Sequence, residues 1–284
     1  MRKILIPTDF SENAMNAIHY GIDLFKYDIS EFYFMHAYQD ELYADETLST
    51  RENLENAKGK VSNWSDKKLQ TILNVISRIS PNPKHTYHVI SSNNLLLDEA
   101  NKIVDNENID IIVMGTRGKT NDKKLTFGSH TLQVLKYVQC PVLAIPENYK
   151  YTQPKHILFP TNYMLPYKRR ELKLLCEMAS PYRAKIDMIY ISKTKKLSMR
   201  QEDNRDFVKA TLCKNVINFK VINSKNIINS IFKYIKENSI DMLVMVNTKH
   251  SFLENNMFQS TIDELSLNLR IPFLALQNMR RGQL

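Results

Sequence analysis

Short, continuously apolar runs alternate with longer stretches of helical spacing along the whole chain. Residues 4–7, 32–37, 87–90, 111–114 and 142–145 read as strands. Between them, residues 12–26 carry Ala14, Ile18, Ile22 and Phe25 on one face, with Ser11 as the N-cap. Residues 51–79 form a long helical stretch with Val61, Leu69, Ile72 and Val75 as its stripe, and residues 95–104 and 128–138 are also helical. Strands that are apolar on both faces belong in a parallel sheet covered by helices on both sides. Right-handed crossovers then give a doubly wound α/β sandwich of five strands. Ligands of such sheets bind beyond the carboxyl ends of the strands, so function is expected after Ile6, Met35 and Met114.

The same blocks occur twice. Ile4-Leu5-Ile6-Pro7-Thr8-Asp9-Phe10 matches Ile157-Leu158-Phe159-Pro160-Thr161-Asn162-Tyr163 at an offset of 153. Asp110–Met114 matches Asp241–Met245, and Pro141-Val142-Leu143-Ala144 matches Pro272-Phe273-Leu274-Ala275, both at 131. Repetition of blocks in the same order means one domain present twice. The expected domains are 1–147 and 155–284, joined by the polar, proline-bearing segment 147–155. The difference in offset puts about 22 extra residues in the first copy, between Tyr38 and His85. Part of it, residues 39–50 (QDELYADETLST), reads as an acidic loop.

Composition narrows the classes. Hydrophobic residues make up 43% and charged residues 24% of 284, as in a soluble globular chain. No apolar run reaches a membrane span and no leader pattern opens the chain, so a cytoplasmic protein without membrane contact is expected. Three distant cysteines exclude a disulfide framework and fit a reducing compartment. The net charge of +9 is uneven: residues 1–150 hold 17 Lys+Arg against 19 Asp+Glu, and the rest hold 22 against 11. No aromatic-interleaved basic motif accompanies the excess, so nucleic acid is not the expected partner.

Chemistry concentrates after the strand 111–114. Gly115-Thr116-Arg117-Gly118 is followed, nine residues later, by Gly128-Ser129-His130-Thr131 opening a helix. Three of the six glycines lie in this one segment. Glycines let backbone approach a ligand, and a helix N-terminus favours an anion. Hydroxyls on Ser129 and Thr131 add donors. Gly118-Lys119-Thr120 is not a Walker A loop, because the required earlier glycine is Val113 and no helix follows the GKT.

The G-x2-G-x9-G-[ST] pattern, with the opening Ile-Pro-Thr-Asp-Phe-Ser, resembles the universal stress protein family, over nearly the whole chain as two tandem copies. The resemblance implies an adenine-nucleotide-binding fold and ATP in the first copy. It places Pro7, Thr8 and Asp9 under the adenosine, with Asp9 near the ribose. Ala37, after His36, would give backbone bonds to adenine. Met114 and Gly115 would line the ribose and first phosphates, Arg117 and Gly118 would reach the phosphates, and Gly128, Ser129, His130 and Thr131 would close over the tail. Mg or Mn would ride on those phosphates. The family's last strands pair across a twofold axis, which implies an internal pseudo-dimer here and leaves a further homodimer open.

The second copy departs from the pattern. Gly115, Gly118, Gly128 and Thr131 align with Val246, Lys249, Gln259 and Ile262; Asp9 aligns with Asn162 and Ala37 with Tyr190. ATP is therefore expected in the first domain only. The leading expectation is a nucleotide-dependent regulatory protein in which ATP orders the loop 115–128 and an unknown protein partner reads the ordered surface. Two alternatives stay open at this point: a slow ATPase or self-phosphorylating enzyme, weakened by the lack of a general base beyond Asp9, and a nucleotide-free interaction module with a basic second half. His36 reads as a satisfied strand-end histidine, and no metal-ligand spacing is found around His85 and His88.

Overall fold

The computed structural model describes the chain except residues 44–50, 119–126, 165–166, 195, 213–214, 248–263, 265–267 and 279–284. Contacts divide the described residues into two units, 1–148 and 149–278.

The first unit runs β1 (Arg2–Pro7), α1 (Glu12–Leu24), β2 (Ser30–Ala37), α2 (Gln39–Tyr43), α3 (Arg51–Ile79), β3 (His85–Ser92), α4 (Leu96–Asn106), β4 (Ile111–Gly115), α5 (Ser129–Tyr137) and β5 (Val142–Ile145). Its five strands are parallel, in the order β3-β2-β1-β4-β5. The chain winds one way from β1 to β3 and the other way from β4, so the switch point lies between β1 and β4. Helices α1 and α3 cover one face; α4 and α5 touch each other on the other. The sheet is doubly wound, as the alternation of apolar runs predicts.

Local chemistry explains the elements that build the crevice. The Ser11 hydroxyl accepts the Ala14 N–H and starts α1. Ala14, Ala17, Ile18 and Ile22 are buried against the sheet. Gly21 lets α1 lie close on Ile6 and Val113; a Cβ there would stand 3.2 Å from Ile6 Cδ1. Each fully buried branched side chain contributes about 1.5–3 kcal/mol. Helix α3 buries Leu69, Ile72 and Ile76, while Val61 and Val75 are only half-buried. One turn earlier the same stripe holds a polar residue, fully buried Ser65, whose hydroxyl faces His36 and Ser91.

The second unit comprises β6 (His156–Pro160), α6 (Arg169–Ala179), a single 3-10 turn (Ser180–Tyr182), β7 (Lys185–Ser192), α7 (Met199–Thr211), β8 (Val216–Asn223), α8 (Ile227–Asn238), β9 (Met242–Asn247) and β10 (Phe273–Gln277). Its order, β8-β7-β6-β9-β10, is that of the first unit position by position.

Register corrects the sequence alignment in two places. In the first unit Thr8 N–H donates to Met35 O; in the second, Thr161 N–H donates to Ile189 O. Position β7 is therefore offset by 154, not 153. Tyr190 takes the place of His36, and Ile191 that of Ala37. The surplus length is also larger than the blocks imply. Met35 pairs with Ile90, 55 residues on, while Ile189 pairs with Lys220, 31 on, a difference of 24. Part of that surplus is helical. Residues 39–43, expected as loop, form α2, because Leu42 is buried and its N–H bonds back to Tyr38 O at 3.2 Å. The remainder of the acidic segment, 44–50, lies outside the described residues.

Candidate functional site

The carboxyl ends of β1, β2 and β4 converge at the switch point. The turn leaving β1 is tightly built. Thr8 Oγ1 accepts the Phe10 N–H and Asp9 Oδ1 accepts the Ser11 N–H, both at 3.0 Å. These bonds hold Phe10 at φ 64°, in the left-handed region that costs a non-glycine residue about 1–2 kcal/mol. The Phe10 ring is thereby turned onto His36 (4.6 Å between centroids) and Trp64 (5.1 Å, edge-on). Such strained turns persist only where surrounding bonds fix them. Pro7 is buried below, and Ala37 is half-buried at the end of β2.

From the end of β4, Thr116 N–H bonds to Ile145 O at 2.9 Å and Asn13 Nδ2 donates to Arg117 O at 2.9 Å. The segment returns at Gly128, whose N–H reaches Thr116 O at 2.7 Å. Helix α5 then begins with Gly128 as a side-chain-less N-cap. The first-turn N–H groups of Ser129, His130 and Thr131 have no carbonyl within the helix to bond. Ser129 and His130 are exposed, and His130 Nε2 lies 3.2 Å from Asp40 Oδ2.

The expected site residues do not all face one ligand. Pro7, Thr8 and Asp9 end and follow β1, Ala37 ends β2, Met114 and Gly115 end β4, Gly118 lies beside Asp9, and Gly128, Ser129 and His130 open α5. Thr131 is buried, and its hydroxyl donates to Gly115 O at 3.0 Å, fastening α5 to β4. Arg117 is turned to Glu147, Nη1 to Oε2 at 3.0 Å, across the loop from β5. Lys119, Thr120 and the Lys123–Lys124 pair lie outside the described residues.

The three glycines are not equivalent. A Cβ on Gly115 would stand 2.7 Å from Asn13 Nδ2 and 3.1 Å from Asn13 O, so α1 itself requires that glycine. A Cβ on Gly118 would stand 2.6 Å from Asp9 Oδ2. Packing against Asn13, backbone as well as side chain, therefore accounts for Gly115, whereas Gly118 meets only the tip of the Asp9 side chain, which can turn aside. Gly128 is different. Its backbone is extended (φ −71°, ψ 165°), open to any residue, and a Cβ would meet nothing nearer than Thr116 O at 3.7 Å. Among the described residues nothing in packing or conformation demands glycine there. Gly115→Ala is accordingly expected to destabilise the first unit by about 1–3 kcal/mol, read as a lowered urea midpoint by circular dichroism.

In the second unit the turn after β6 is bonded to side chains of α7 and lies among buried tyrosines. Tyr163 repeats the left-handed conformation of Phe10 (φ 53°), and its N–H bonds to Thr161 Oγ1 at 3.0 Å. The hydroxyls of Thr161 and Tyr167 are in hydrogen-bonding contact. From α7, Gln201 Nε2 donates to Asn162 O at 2.8 Å and Asn204 Nδ2 donates to Tyr163 O at 2.7 Å. Tyr163, Tyr167 and Tyr190 are buried, and burial pushes the Tyr167 hydroxyl up to about 12, so it stays neutral. Val246 stands where β4 has Gly115, as its pairing with Leu276 requires. Lys249, Gln259, Ser260 and Ile262 lie outside the described residues.

Known proteins share both the sequence of the first unit and the fold. The model of the universal stress protein family matches residues 1–146. Universal stress protein MJ0577 of Methanocaldococcus jannaschii is 31% identical over 156 residues, spanning 51% of this chain and 94% of the relative. A universal stress protein structure from Archaeoglobus fulgidus has the same fold across 97% of this chain and 96% of its own, with a TM-score of 0.68 at 16% identity. A putative universal stress protein of Pseudomonas aeruginosa covers 98% of this chain and 93% of its own at TM-score 0.56 and 11% identity. Since the family model matches half of the chain, nearly the whole of the first unit, and the doubly wound order recurs in the second, the chain belongs to the universal stress protein family.

Proposed function

We propose that the first unit binds ATP and that the chain acts in the cytoplasm as a nucleotide-dependent regulator of a stress response, not as an enzyme. One observation carries the reading: Gly128 is a glycine that its backbone conformation and its packing against the described residues leave unexplained, at the start of a helix with no side-chain cap beside the switch point. A phosphate tail accounts for it. The first-turn N–H groups of α5 and the Ser129 hydroxyl would hold phosphate oxygens, and a Cβ at residue 128 would intrude on them. The turn Thr8-Asp9-Phe10 and the backbone at Ala37 would hold ribose and base. Thr131 and Arg117 support the walls: Thr131 fastens α5, and Arg117 braces the loop on Glu147.

A divalent ion fits only as a passenger. Among the described residues no group of three or more His, Cys, Asp or Glu is placed to hold a metal. Mg or Mn would therefore be carried by the phosphates, where it screens their charge. Asp9 supports binding over hydrolysis: Oδ1 accepts the Ser11 N–H, and Oδ2 lies against Gly118. A carboxylate so engaged is poorly placed to activate water. The second unit, with tyrosines and amides of α7 around the turn after β6, would take no ATP in this manner.

Native mass spectrometry of freshly purified protein tests the reading. A mass increment of one adenine nucleotide per chain is expected. A bare chain that also takes up no added ATP would refute it.

A further inference from the structure

Helix α2 is seated by one apolar residue and carries two acids aimed at histidines. Leu42 is buried beneath it. Its two adjacent acids reach in different directions. Asp40 Oδ2 lies 3.2 Å from His130 Nε2, at the start of α5. Glu41 Oε1 lies 3.6 Å from His36 Nε2, at the carboxyl end of β2. His36 is 2% exposed, with Nδ1 2.9 Å from Ser65 Oγ, which in turn accepts from Ser91 Oγ at 2.7 Å. Its Nε2 makes no hydrogen bond, so Glu41 stops just beyond bonding range. The helix thus spans the crevice from the base end, at His36, to the phosphate end, at His130. In the second unit the chain passes from β7 into α7 with no such helix among the described residues.

We propose that α2 is a built-in competitor of the phosphate tail: the Asp40 carboxylate occupies, on His130, the place of a phosphate oxygen. The proposal rests on the ATP reading of the first unit. A carboxylate is an acceptor-only oxyanion, the same chemistry a phosphate oxygen presents. Nε2 of His130 has one proton to donate, so it serves Asp40 or the ligand, not both. A carboxylate left beside the tail would also repel it. Phosphate binding therefore exchanges Asp40 for a ligand oxygen on His130, and α2 loses its contact with α5. The nucleoside end asks for no such exchange. Apparent affinity for ATP is lowered by the share of molecules in which Asp40 holds the histidine.

Calorimetric titration of the full chain with ATP and with adenosine, for the wild type and Asp40→Asn, tests this. The substitution removes the carboxylate charge beside the tail and should tighten ATP about two- to fivefold, and leave adenosine unchanged. Hydrogen exchange on the wild type gives a readout independent of any variant. Amides of residues 40–43 should exchange faster with ATP bound, and not with adenosine. ATP affinity unchanged or weakened in Asp40→Asn, or slower exchange of α2 with ATP, would overturn the competitor and leave ATP binding standing. Absence of ATP binding in both proteins would remove the competitor together with the function it rests on.

Discussion

Gly128→Val combined with Ser129→Ala should abolish measurable ATP binding while leaving the melting temperature close to the wild-type value. The two effects come from separate features. Removing the Ser129 hydroxyl costs one charge-assisted hydrogen bond, roughly 1.5–3 kcal/mol, which is about ten- to a hundredfold in affinity. The valine then places three carbons where phosphate oxygens would approach the start of α5. Stability is spared because the Gly128 backbone is already extended and the new Cβ has only ordinary contacts, at 3.7 and 3.8 Å. Gly115→Ala provides the contrast, since there the damage falls on folding through Asn13. Calorimetry and thermal melts on both proteins separate the two kinds of glycine. A Gly128→Val/Ser129→Ala protein that binds ATP as the wild type does would remove α5 from the site.

The largest stability effect is expected far from the crevice, at Asp187 on β7. This carboxylate is fully buried and accepts three short hydrogen bonds: Tyr234 OH at 2.6 Å, His156 Nε2 at 2.7 Å and Asn218 Nδ2 at 2.8 Å. Lys185 and Lys220 stand 3.7 and 3.8 Å away. Burial alone would push its carboxyl up, but the bonds from Tyr234, Asn218 and His156 outweigh it and hold the group down at about 2. Asp187→Ala takes the shared acceptor from buried Tyr234 and from half-buried His156 and Asn218, and should cost the second unit about 3–5 kcal/mol. The transition of that unit in a urea melt checks it. The pH dependence has a definite sign. A folded-state value below the ordinary 3.8 means that the stabilisation is present above that value and is lost as pH falls towards about 2. The wild type should therefore lose stability in the second unit between about pH 4 and pH 2, and Asp187→Asn should lack that component. Identical acid profiles for the two proteins would contradict the assignment.

Much of the fold was legible because apolar strands buried on both faces leave a continuous signal that polar stretches interrupt. Helix α3 ends where its pattern ends, and Ser11 caps α1 as its residue type suggests. Failures arose where a residue's partner is distant in sequence. The β7 slip is invisible to matching blocks, since Met188 imitates Met35, and only the bond from Thr161 N–H to Ile189 O fixes the register. Helix α2 has too few apolar residues for periodicity to reveal it; Leu42 alone anchors it. The glycines share one sequence pattern but have different reasons, because Asn13, which requires Gly115, comes from another element. Thr131 and Arg117 carry the right chemistry for phosphate, yet their polar atoms are engaged by Gly115 O and Glu147. Asp187 was passed over. A lone acid within the apolar run Ile186–Tyr190 signals a buried network, and its partners His156, Asn218 and Tyr234 could then be sought on neighbouring elements.

The two units differ where a nucleotide would sit, with tyrosines and amides of α7 around the turn of the second, so ATP is expected at the first alone. Titrating ATP into the full-length chain and counting sites tests it directly. One site per chain, lost in Gly128→Val/Ser129→Ala, is the predicted result. Two equivalent sites, or a single site that survives those substitutions, would contradict it.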